Sequence, residues 1–205
     1  MDVKTKLRKY FVMGSQDCDG RDPEEILREA VAAGITTYQF REKGPGSLQG
    51  EEEIRLGKKL REICSENDVL FIVNDKVELA EMLDADGIHV GQEDRAVEEI
   101  REKYPDTIIG LSVTNMDEVK NSRIDLVDYV GAGPIFPTDT KPGKNPTGLE
   151  FLKDIRSSYP ELPIVAIGGI KPDNAQAILQ AGADGLAVVS AITKAENIEQ
   201  AVKSL

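Results

Sequence analysis

Residues 179–189 read LQAGADGLAVV, and two other stretches of the chain repeat the same plan. In each, a helical period of apolar residues ends in Ala, Gly or Asp, and a short apolar run follows. The other two are AVAAGITTYQF at 30–40 and EMLDADGIHV at 81–90, and RIDLVDYVG at 123–131 is a looser version. Small residues at a helix end followed by a continuous apolar run are typical of a helix that leads into a buried parallel strand.

The same alternation extends over the rest of the chain. Strands are predicted near 9–13, 35–41, 69–73, 86–90, 107–112, 127–132, 163–168 and 184–189. Helices are predicted near 23–33, 51–67, 76–84, 95–103, 115–122, 148–158, 172–181 and 196–204. Strict alternation of this kind indicates a parallel sheet covered by helices. About eight units in 205 residues favour an α/β fold, a (β/α)8 TIM barrel forming a single domain over 1–205, over a doubly wound open sheet.

The composition excludes several classes of partner. The formal net charge of -12 argues against binding to nucleic acid or to an anionic membrane surface, because both favour a basic protein face. The sequence contains no run of 18 apolar residues and no amino-terminal signal pattern. The two cysteines lack metal-ligand spacing, which fits a cytoplasmic protein. Small molecules are the expected partners, and a homo-oligomer is an open alternative.

Polar residues recur where the predicted strands end. They are Gln39, Arg41 and Lys43 after strand two, Asn74 and Asp75 after strand three, Asp94 after strand four, Ser112 in strand five, Thr138 to Lys141 after strand six, Gly169 after strand seven and Ser190 after strand eight. In a barrel the carboxyl ends of all strands meet at one rim, which is where such folds carry out chemistry. The sequence therefore predicts a single functional site at that rim.

The second strand suggests an anion site. Alternation along a strand places Gln39, Arg41 and Lys43 on one side of the chain and Tyr38 and Phe40 on the other. A solvated sheet edge with free cations is the simpler interpretation. A guanidinium beside an ammonium group is, however, suited to a phosphate or diphosphate.

Two carboxylates suggest a metal site. Asp75 could serve only as a helix cap, as Asp often does. Together with Asp94 at the next strand end, it could instead form a Mg²⁺ site, because Mg²⁺ takes few protein ligands and keeps several waters.

A second anion site is indicated after strands seven and eight. Gly168 and Gly169 precede a helix, and Val189 and Ser190 follow the last strand. A tight turn would explain the glycines, but barrels often bind phosphate with backbone N–H groups in these loops. Two anion sites at one rim suggest group transfer with pyrophosphate as the leaving group. His89, the only histidine, is interpreted as a hydrogen-bonded core residue.

Seven motifs in order over almost the whole chain resemble the thiamine phosphate synthase family. They are QFREK (39–43), NDKVELA (74–80), ADGIHVGQED (85–94), GLSVTN (110–115), DYVGAGPIFPTDTK (128–141), VAIGGI (165–170) and GADGLAVVSAI (182–192). The resemblance implies a (β/α)8 barrel and a transferase that uses Mg²⁺. Its reaction joins 4-amino-2-methyl-5-(diphosphooxymethyl)pyrimidine to 4-methyl-5-(2-phosphooxyethyl)thiazole, through a pyrimidine carbocation, and gives thiamine phosphate and pyrophosphate.

The resemblance also implies roles for individual residues. The pyrimidine diphosphate site would consist of Gln39, Phe40, Arg41, Glu42, Lys43, Asn74, Ser112 and Lys141, among which Arg41, Lys43, Ser112 and Lys141 would be catalytic. The metal ligands would be Asp75 and Asp94. The thiazole phosphate site would consist of Thr138, Asp139, Thr140, Gly169, Val189 and Ser190.

One departure from the family pattern bears on the alternatives. Many members have histidine two residues after the serine of strand five, where this chain has Thr114. Related thiazole tautomerases are thought to use that histidine, so Thr114 counts against a tautomerase-like paralogue. A barrel that binds thiazole phosphate or thiamine phosphate without turnover is the other alternative.

Overall fold

The computed structural model describes residues 2–138 and 145–205. Its centre is a closed barrel in which eight parallel strands pair in sequence order and β8 returns to β1, which confirms the predicted barrel. The strands are β1 Lys9–Met13, β2 Thr37–Phe40, β3 Leu70–Asn74, β4 Gly87–Val90, β5 Ile108–Val113, β6 Tyr129–Ala132, β7 Ile164–Ile167 and β8 Gly185–Val188. The predicted site residues Asp139, Thr140 and Lys141 lie outside the described residues.

Ten α-helices occur in the described part of the chain. They are α1 Val3–Lys6, α2 Pro23–Ala32, α3 Gly50–Glu66, α4 Val77–Met82, α5 Val97–Lys103, α6 Met116–Asn121, α7 Gly148–Ser158, α8 Pro172–Gln180, α9 Ser190–Thr193 and α10 Ile198–Lys203. All eight predicted helices are present, with ends within about two residues of those expected. The Asp22 carboxylate caps α2 by accepting the Glu24 N–H at 2.8 Å, with Pro23 at the first helical position.

The barrel separates two apolar layers. Strand residues that point outward, such as Phe11, Tyr38 and Phe71, pack against the helices. A smaller cluster fills the barrel interior and consists of Leu7, Tyr10, Val12, Leu70, Ile72, Ile108, Tyr129, Val165 and Ala187. These side chains occupy the inside of the barrel beneath its carboxyl-terminal rim. None of the helices in residues 2–138 and 145–205 combines the length and the apolar character needed to cross a membrane.

Both cysteines are buried, and we expect them to be unreactive in the folded protein. Burial raises the pKa of the Cys18 thiol and of the Cys64 thiol to about 12. Thiols react as thiolates, and almost none would be present at pH 8. Titration with a disulfide reagent at pH 8 should therefore detect no thiol in the native protein and both after denaturation. Rapid labelling of the native protein would contradict the packing around α3 and the loop after β1.

Candidate active site

A cavity of about 750 Å³ opens at the carboxyl-terminal ends of the strands. Its wall includes eight of the residues predicted from the sequence: Gln39, Arg41, Asn74, Ser112, Thr138, Gly169, Val189 and Ser190. They come from six different strand ends and the loops that follow them. The structure thus brings together side chains that lie far apart in the chain, as the barrel geometry requires.

Alternation along β2 and into the residue that follows it decides which side chains face the cavity. Gln39 and Arg41 line the cavity wall, whereas Phe40 points outward. The Phe40 ring is 1% exposed and stacks against Phe71, with 6.2 Å between ring centroids. The expected contact between Phe40 and a ligand is therefore limited to its backbone.

Glu42 also points away from the cavity, and its carboxylate connects two loops. It accepts hydrogen bonds from the Ser15 N–H at 2.6 Å, the Ser15 hydroxyl at 2.9 Å and the Leu48 N–H at 2.6 Å. The carboxylate thus fixes the loop after β1 to the loop after β2. Glu42 does not line the cavity, so its predicted contact with the pyrimidine diphosphate stays a prediction, and the structure gives its side chain a role in supporting the loops.

The loop after β1 adds cavity residues that the sequence analysis missed. A 3₁₀ helix, Ser15–Asp17, places Gln16 and Asp17 in the cavity wall beside Arg41. The Gln16 Nε2 donates to the Arg41 carbonyl at 2.9 Å and to the Asp17 carboxylate at 2.8 Å. Burial raises the pKa of Asp17, while the Gly14 N–H, the Arg41 charge and Gln16 oppose that shift. Their position after a strand was the one sequence signal that could have identified them.

Arg41 lines the cavity and carries a hydrogen-bond donor that is not used in the described part of the chain. Its Nε atom is buried and has no hydrogen-bond partner among the described residues. A buried donor without a partner costs free energy, which a ligand that accepts the hydrogen bond would recover. The planar guanidinium matches the oxygens of a phosphate or carboxylate.

The two predicted metal ligands lie at neighbouring strand ends. The Asp75 N–H donates to the His89 carbonyl at 2.8 Å, and the Asp94 Oδ2 accepts the Gly91 N–H at 2.7 Å. The Asp75 carboxylate forms an ion pair of 2.5 Å with Lys43. Neither carboxylate nor Lys43 lines the cavity itself, so all three lie at or beyond its edge.

The donor set fits a hard divalent cation with few protein ligands. No group of three or more His, Cys, Asp or Glu side chains suited to a metal occurs in residues 2–138 and 145–205. Two carboxylates at adjacent strand ends would leave the remaining positions to water and substrate oxygens, which is the coordination that Mg²⁺ favours.

The opposite wall is built from backbone. Gly168 and Gly169 adopt left-handed φ angles of 97° and 65°. A Cβ at Gly169 would lie 2.7 Å from the Phe136 Cβ and from the Pro137 carbonyl oxygen, so glycine is required for packing as well as for the turn. Ser190 begins α9, whose first N–H groups have no acceptor within the helix.

A chain of side-chain hydrogen bonds crosses the barrel at the cavity floor. It joins Gln39, Tyr10, Tyr129, His89 and Ser112 over distances of 2.7–3.0 Å. Burial raises the pKa of both tyrosines above the usual value, so both hydroxyls stay protonated. His89 is the hydrogen-bonded core residue expected from the sequence, and it also borders the cavity.

Comparison with known proteins agrees with these features. The family model described as thiamine monophosphate synthase matches residues 9–192. The chain is 54% identical to the thiamine-phosphate synthase of Oceanobacillus iheyensis over 98% of each chain. It is 50% identical to that of Anoxybacillus flavithermus, over 99% of this chain and 94% of the relative.

A solved structure extends the match to three dimensions. The chain superimposes on thiamine phosphate pyrophosphorylase from Pyrococcus furiosus with a TM-score of 0.88 and 38% identity, covering 99% of this chain and 95% of the other. Fold and sequence both match over nearly the whole length. The chain belongs to the thiamine monophosphate synthase family.

Proposed function

We propose that this chain is a cytoplasmic transferase that forms thiamine phosphate. It would join 4-amino-2-methyl-5-(diphosphooxymethyl)pyrimidine to 4-methyl-5-(2-phosphooxyethyl)thiazole and release pyrophosphate. The bond between the pyrimidine methylene carbon and the diphosphate oxygen breaks, and its electron pair leaves with pyrophosphate. The lone pair of the thiazole nitrogen then forms the new carbon–nitrogen bond. No external acid, base or oxidant is needed to balance this exchange.

The observation that carries the proposal is the arrangement of two kinds of hydrogen-bond donor around one cavity. Arg41, with an unpartnered buried donor, stands on one side. Gly169 and Ser190, with backbone donors, stand on another. A cavity of about 750 Å³ lies in the range of small-molecule sites.

On the cationic side, the side chains would bind and stabilise the leaving diphosphate. Arg41 would hold its oxygens in a fork of hydrogen bonds, and Lys43 would add charge at the rim. Asn74 and Ser112 line the cavity wall and would orient the pyrimidine. Lys141 belongs to the same proposal through its motif.

We propose that Asp75 and Asp94 hold Mg²⁺ at the edge of this site. When bound, the ion would neutralise charge that develops on the diphosphate. The carboxylates come from adjacent strand ends and leave most of the coordination sphere to other oxygens, as Mg²⁺ prefers.

On the other side, backbone N–H groups near Gly169, Val189 and Ser190 would bind the thiazole phosphate. Thr138 lies in the cavity wall, and Asp139 and Thr140 follow it in the same motif. This placement would bring the thiazole nitrogen towards the pyrimidine methylene carbon. Binding both substrates side by side in one cavity would also limit capture of the carbocation by water.

The tautomerase alternative is disfavoured by the environment of Thr114. Its hydroxyl and its N–H both donate to the Glu118 carboxylate, at 2.7 Å each. A threonine held in this way cannot supply the base that the histidine of a tautomerase would supply. Retention of Arg41 and of both carboxylates disfavours a barrel that only binds, because leaving-group stabilisation serves no purpose without turnover.

The decisive experiment incubates the protein with both substrates and Mg²⁺. We expect thiamine phosphate and pyrophosphate in equal amounts and no product when EDTA is present. Binding of either substrate without product would support the non-catalytic alternative. Conversion of a thiazole phosphate isomer without pyrophosphate release would support the tautomerase.

Replacing Ser190 with alanine should weaken the thiazole phosphate site selectively. The substitution keeps the backbone N–H of residue 190 and removes only the hydroxyl, which would add one further hydrogen bond to the charged phosphate. Such a bond contributes about 1.5–3 kcal/mol, so KM for the thiazole phosphate should rise about 10- to 150-fold. KM for the pyrimidine diphosphate should change little. Ser204→Ala is the matched control, because that hydroxyl donates to the Ala201 carbonyl at 2.8 Å in the carboxyl-terminal helix. A selective effect on the pyrimidine substrate would reverse the assignment of the two sites.

A further inference from the structure

We propose that the hydrogen-bond chain at the cavity floor has a fixed direction, which holds His89 as the neutral Nε2–H tautomer and makes the Ser112 hydroxyl a donor towards the cavity. Tyr10, Tyr129 and His89 are then positioning residues that act through Ser112. The inference rests on the proposed function only for the identity of the molecule that Ser112 meets. Its main test uses no substrate.

The series of hydrogen bonds is continuous from one side of the barrel to the other. The Gln39 Nε2 lies 2.8 Å from the Tyr10 hydroxyl, which lies 2.7 Å from the Tyr129 hydroxyl. The Tyr129 hydroxyl lies 3.0 Å from the His89 Nδ1, and the His89 Nε2 lies 2.8 Å from the Ser112 Oγ. Each contact is within hydrogen-bond range, and four strands, β1, β2, β4 and β6, supply the members that lead to Ser112 on β5.

The amide at one end determines the direction. Gln39 Nε2 can only donate, so the Tyr10 oxygen accepts from it. Tyr10 is 2% exposed, and the other recorded partner of its hydroxyl in the described chain is the Tyr129 oxygen. Because a buried O–H without an acceptor would cost about 1–3 kcal/mol, Tyr10 donates to Tyr129.

The remaining protons follow from this choice. Tyr129 accepts from Tyr10 and therefore donates its own hydrogen to the His89 Nδ1. A neutral imidazole that accepts at Nδ1 carries its proton at Nε2, so His89 donates to the Ser112 Oγ. The hydroxyl hydrogen of Ser112 must then point away from His89. Ser112 lines the cavity, so an acceptor there would receive it.

Two glycines leave the space that this chain needs. A Cβ at Gly110 would lie 2.2 Å from the Tyr129 Cζ and 2.4 Å from the His89 Nδ1. A Cβ at Gly131 would lie 2.9 Å from the His89 Cε1. Glycine at these interior positions of β5 and β6 is thus explained by close approach of the two rings. The raised pKa values of Tyr10 and Tyr129 also keep both hydroxyls able to donate.

The consequence is chemical selectivity at Ser112. A hydroxyl that already accepts from His89 and has its hydrogen directed into the cavity favours a hydrogen-bond acceptor in the ligand. On the proposed function, that acceptor is an oxygen or a ring nitrogen of the pyrimidine diphosphate. His89 itself would neither take up nor release a proton in the reaction.

The direct test is nitrogen NMR of the protein labelled with ¹⁵N-histidine. The chain has one histidine, so each ring nitrogen gives a single assignable signal. At neutral pH we expect a protonated Nε2 and an unprotonated Nδ1. A protonated Nδ1 with an unprotonated Nε2, or a doubly protonated ring, would overturn the proposal.

Two variants test the direction, and one serves as the control. Gln39→Glu replaces the donor with a carboxylate that only accepts, so the chain should reverse and the proton should move to Nδ1. Tyr10→Phe removes the link and should give a mixture of tautomers. Tyr38→Phe is the matched control. The buried Tyr38 hydroxyl donates to the Met13 carbonyl and takes no part in the series of hydrogen bonds from Gln39 to Ser112, so the histidine spectrum should not change. Identical His89 signals in all four proteins would refute a directed chain.

A double-mutant cycle connects the chain to turnover. Tyr10→Phe should lower kcat about tenfold in the natural sequence. In a Ser112→Ala background the same substitution should lower kcat less than about twofold, because Tyr10 acts through the Ser112 hydroxyl. Full additivity of the two losses would contradict the positioning role. If NMR shows the Nε2–H tautomer of His89 but the protein forms no thiamine phosphate, the proposed function is refuted, whereas the proposed direction of the hydrogen bonds still holds.

Discussion

Asp75→Asn should lower kcat/KM for thiamine phosphate formation at least about 100-fold while the protein keeps its fold. Loss of one preorganised group that stabilises developing charge typically costs 10²–10³ in rate, or about 3–4 kcal/mol. The substitution removes the carboxylate charge and keeps the side-chain shape. Because Asp75 is both the proposed metal ligand and the ion-pair partner of Lys43, this one substitution would weaken both interactions.

The backbone should tolerate this substitution. Asp75 has a left-handed φ of 60°, a region that Asn occupies as readily as Asp and that most residues avoid. Melting temperature and circular dichroism should therefore be close to those of the natural sequence. A large loss of stability would mean that the Asp75–Lys43 pair serves the fold rather than the reaction.

Asp68→Asn is the matched control at the other end of the same strand. Asp68 has a φ of 57° and forms an ion pair of 2.6 Å with Lys6, so its backbone and partner resemble those of Asp75. Asp68 precedes β3, whereas Asp75 follows β3. Only Asp75 is therefore at the carboxyl-terminal rim, where the cavity opens. Activity of the control should be unchanged. Equal losses in both variants would remove the case for a metal ligand.

Metal titration separates the two roles of Asp75. If the carboxylate binds Mg²⁺, Asp75→Asn should need a higher Mg²⁺ concentration for half-maximal activity and should bind Mn²⁺ more weakly by electron paramagnetic resonance. If it only positions Lys43, the metal dependence and Mn²⁺ binding should be unaltered. The second outcome would contradict the metal assignment while leaving the proposed reaction intact.

The sequence was sufficient to predict the barrel because each unit carries its own signal. The stretch at 179–189 contains a helix end, a small-residue turn and a buried strand, and the structure places α8 and β8 there. Period and turn chemistry are local properties, so eight repeats of them determine the topology. The closing contact between β1 and β8 then follows from the number of units.

The orientation of side chains at the rim was less accessible from the sequence. Alternation predicted that Phe40 points away from Arg41, but the family motif grouped all five residues of 39–43 together as a ligand site. Glu42 shows that the motif does not give side-chain orientation, since its carboxylate accepts hydrogen bonds from Ser15 and Leu48 and does not line the cavity. A residue's place in a motif does not distinguish a ligand contact from a loop support.

Contacts that cross the barrel were not accessible at all. Gln16 lies in a loop with no recognisable motif, and its approach to Arg41 depends on how the first two strand ends meet. The chain from Gln39 to Ser112 likewise joins residues from separate strands. Such contacts are set by three-dimensional register, for which the sequence carries no local signal.

Arg41→Lys should lower kcat/KM for the pyrimidine diphosphate about 100-fold although the charge is retained. The buried Nε of Arg41 has no partner in the described chain, and a lysine has no donor at that position. Its single ammonium group also cannot form the paired hydrogen bonds of a guanidinium with diphosphate oxygens. The loss should therefore fall mainly on the step in which pyrophosphate leaves, and KM for the thiazole phosphate should change little.

Arg21→Lys is the control for this prediction, because Arg21 is a half-exposed residue whose partner is Glu29 on α2. The activity of the Arg21→Lys variant should match that of the natural sequence. Near-normal turnover of Arg41→Lys would show that charge alone suffices at this position. A loss confined to the thiazole substrate would show that Arg41 belongs to the other anion site. The expected pattern requires the fork geometry, since charge is constant between the two side chains and only the number and direction of donors differ.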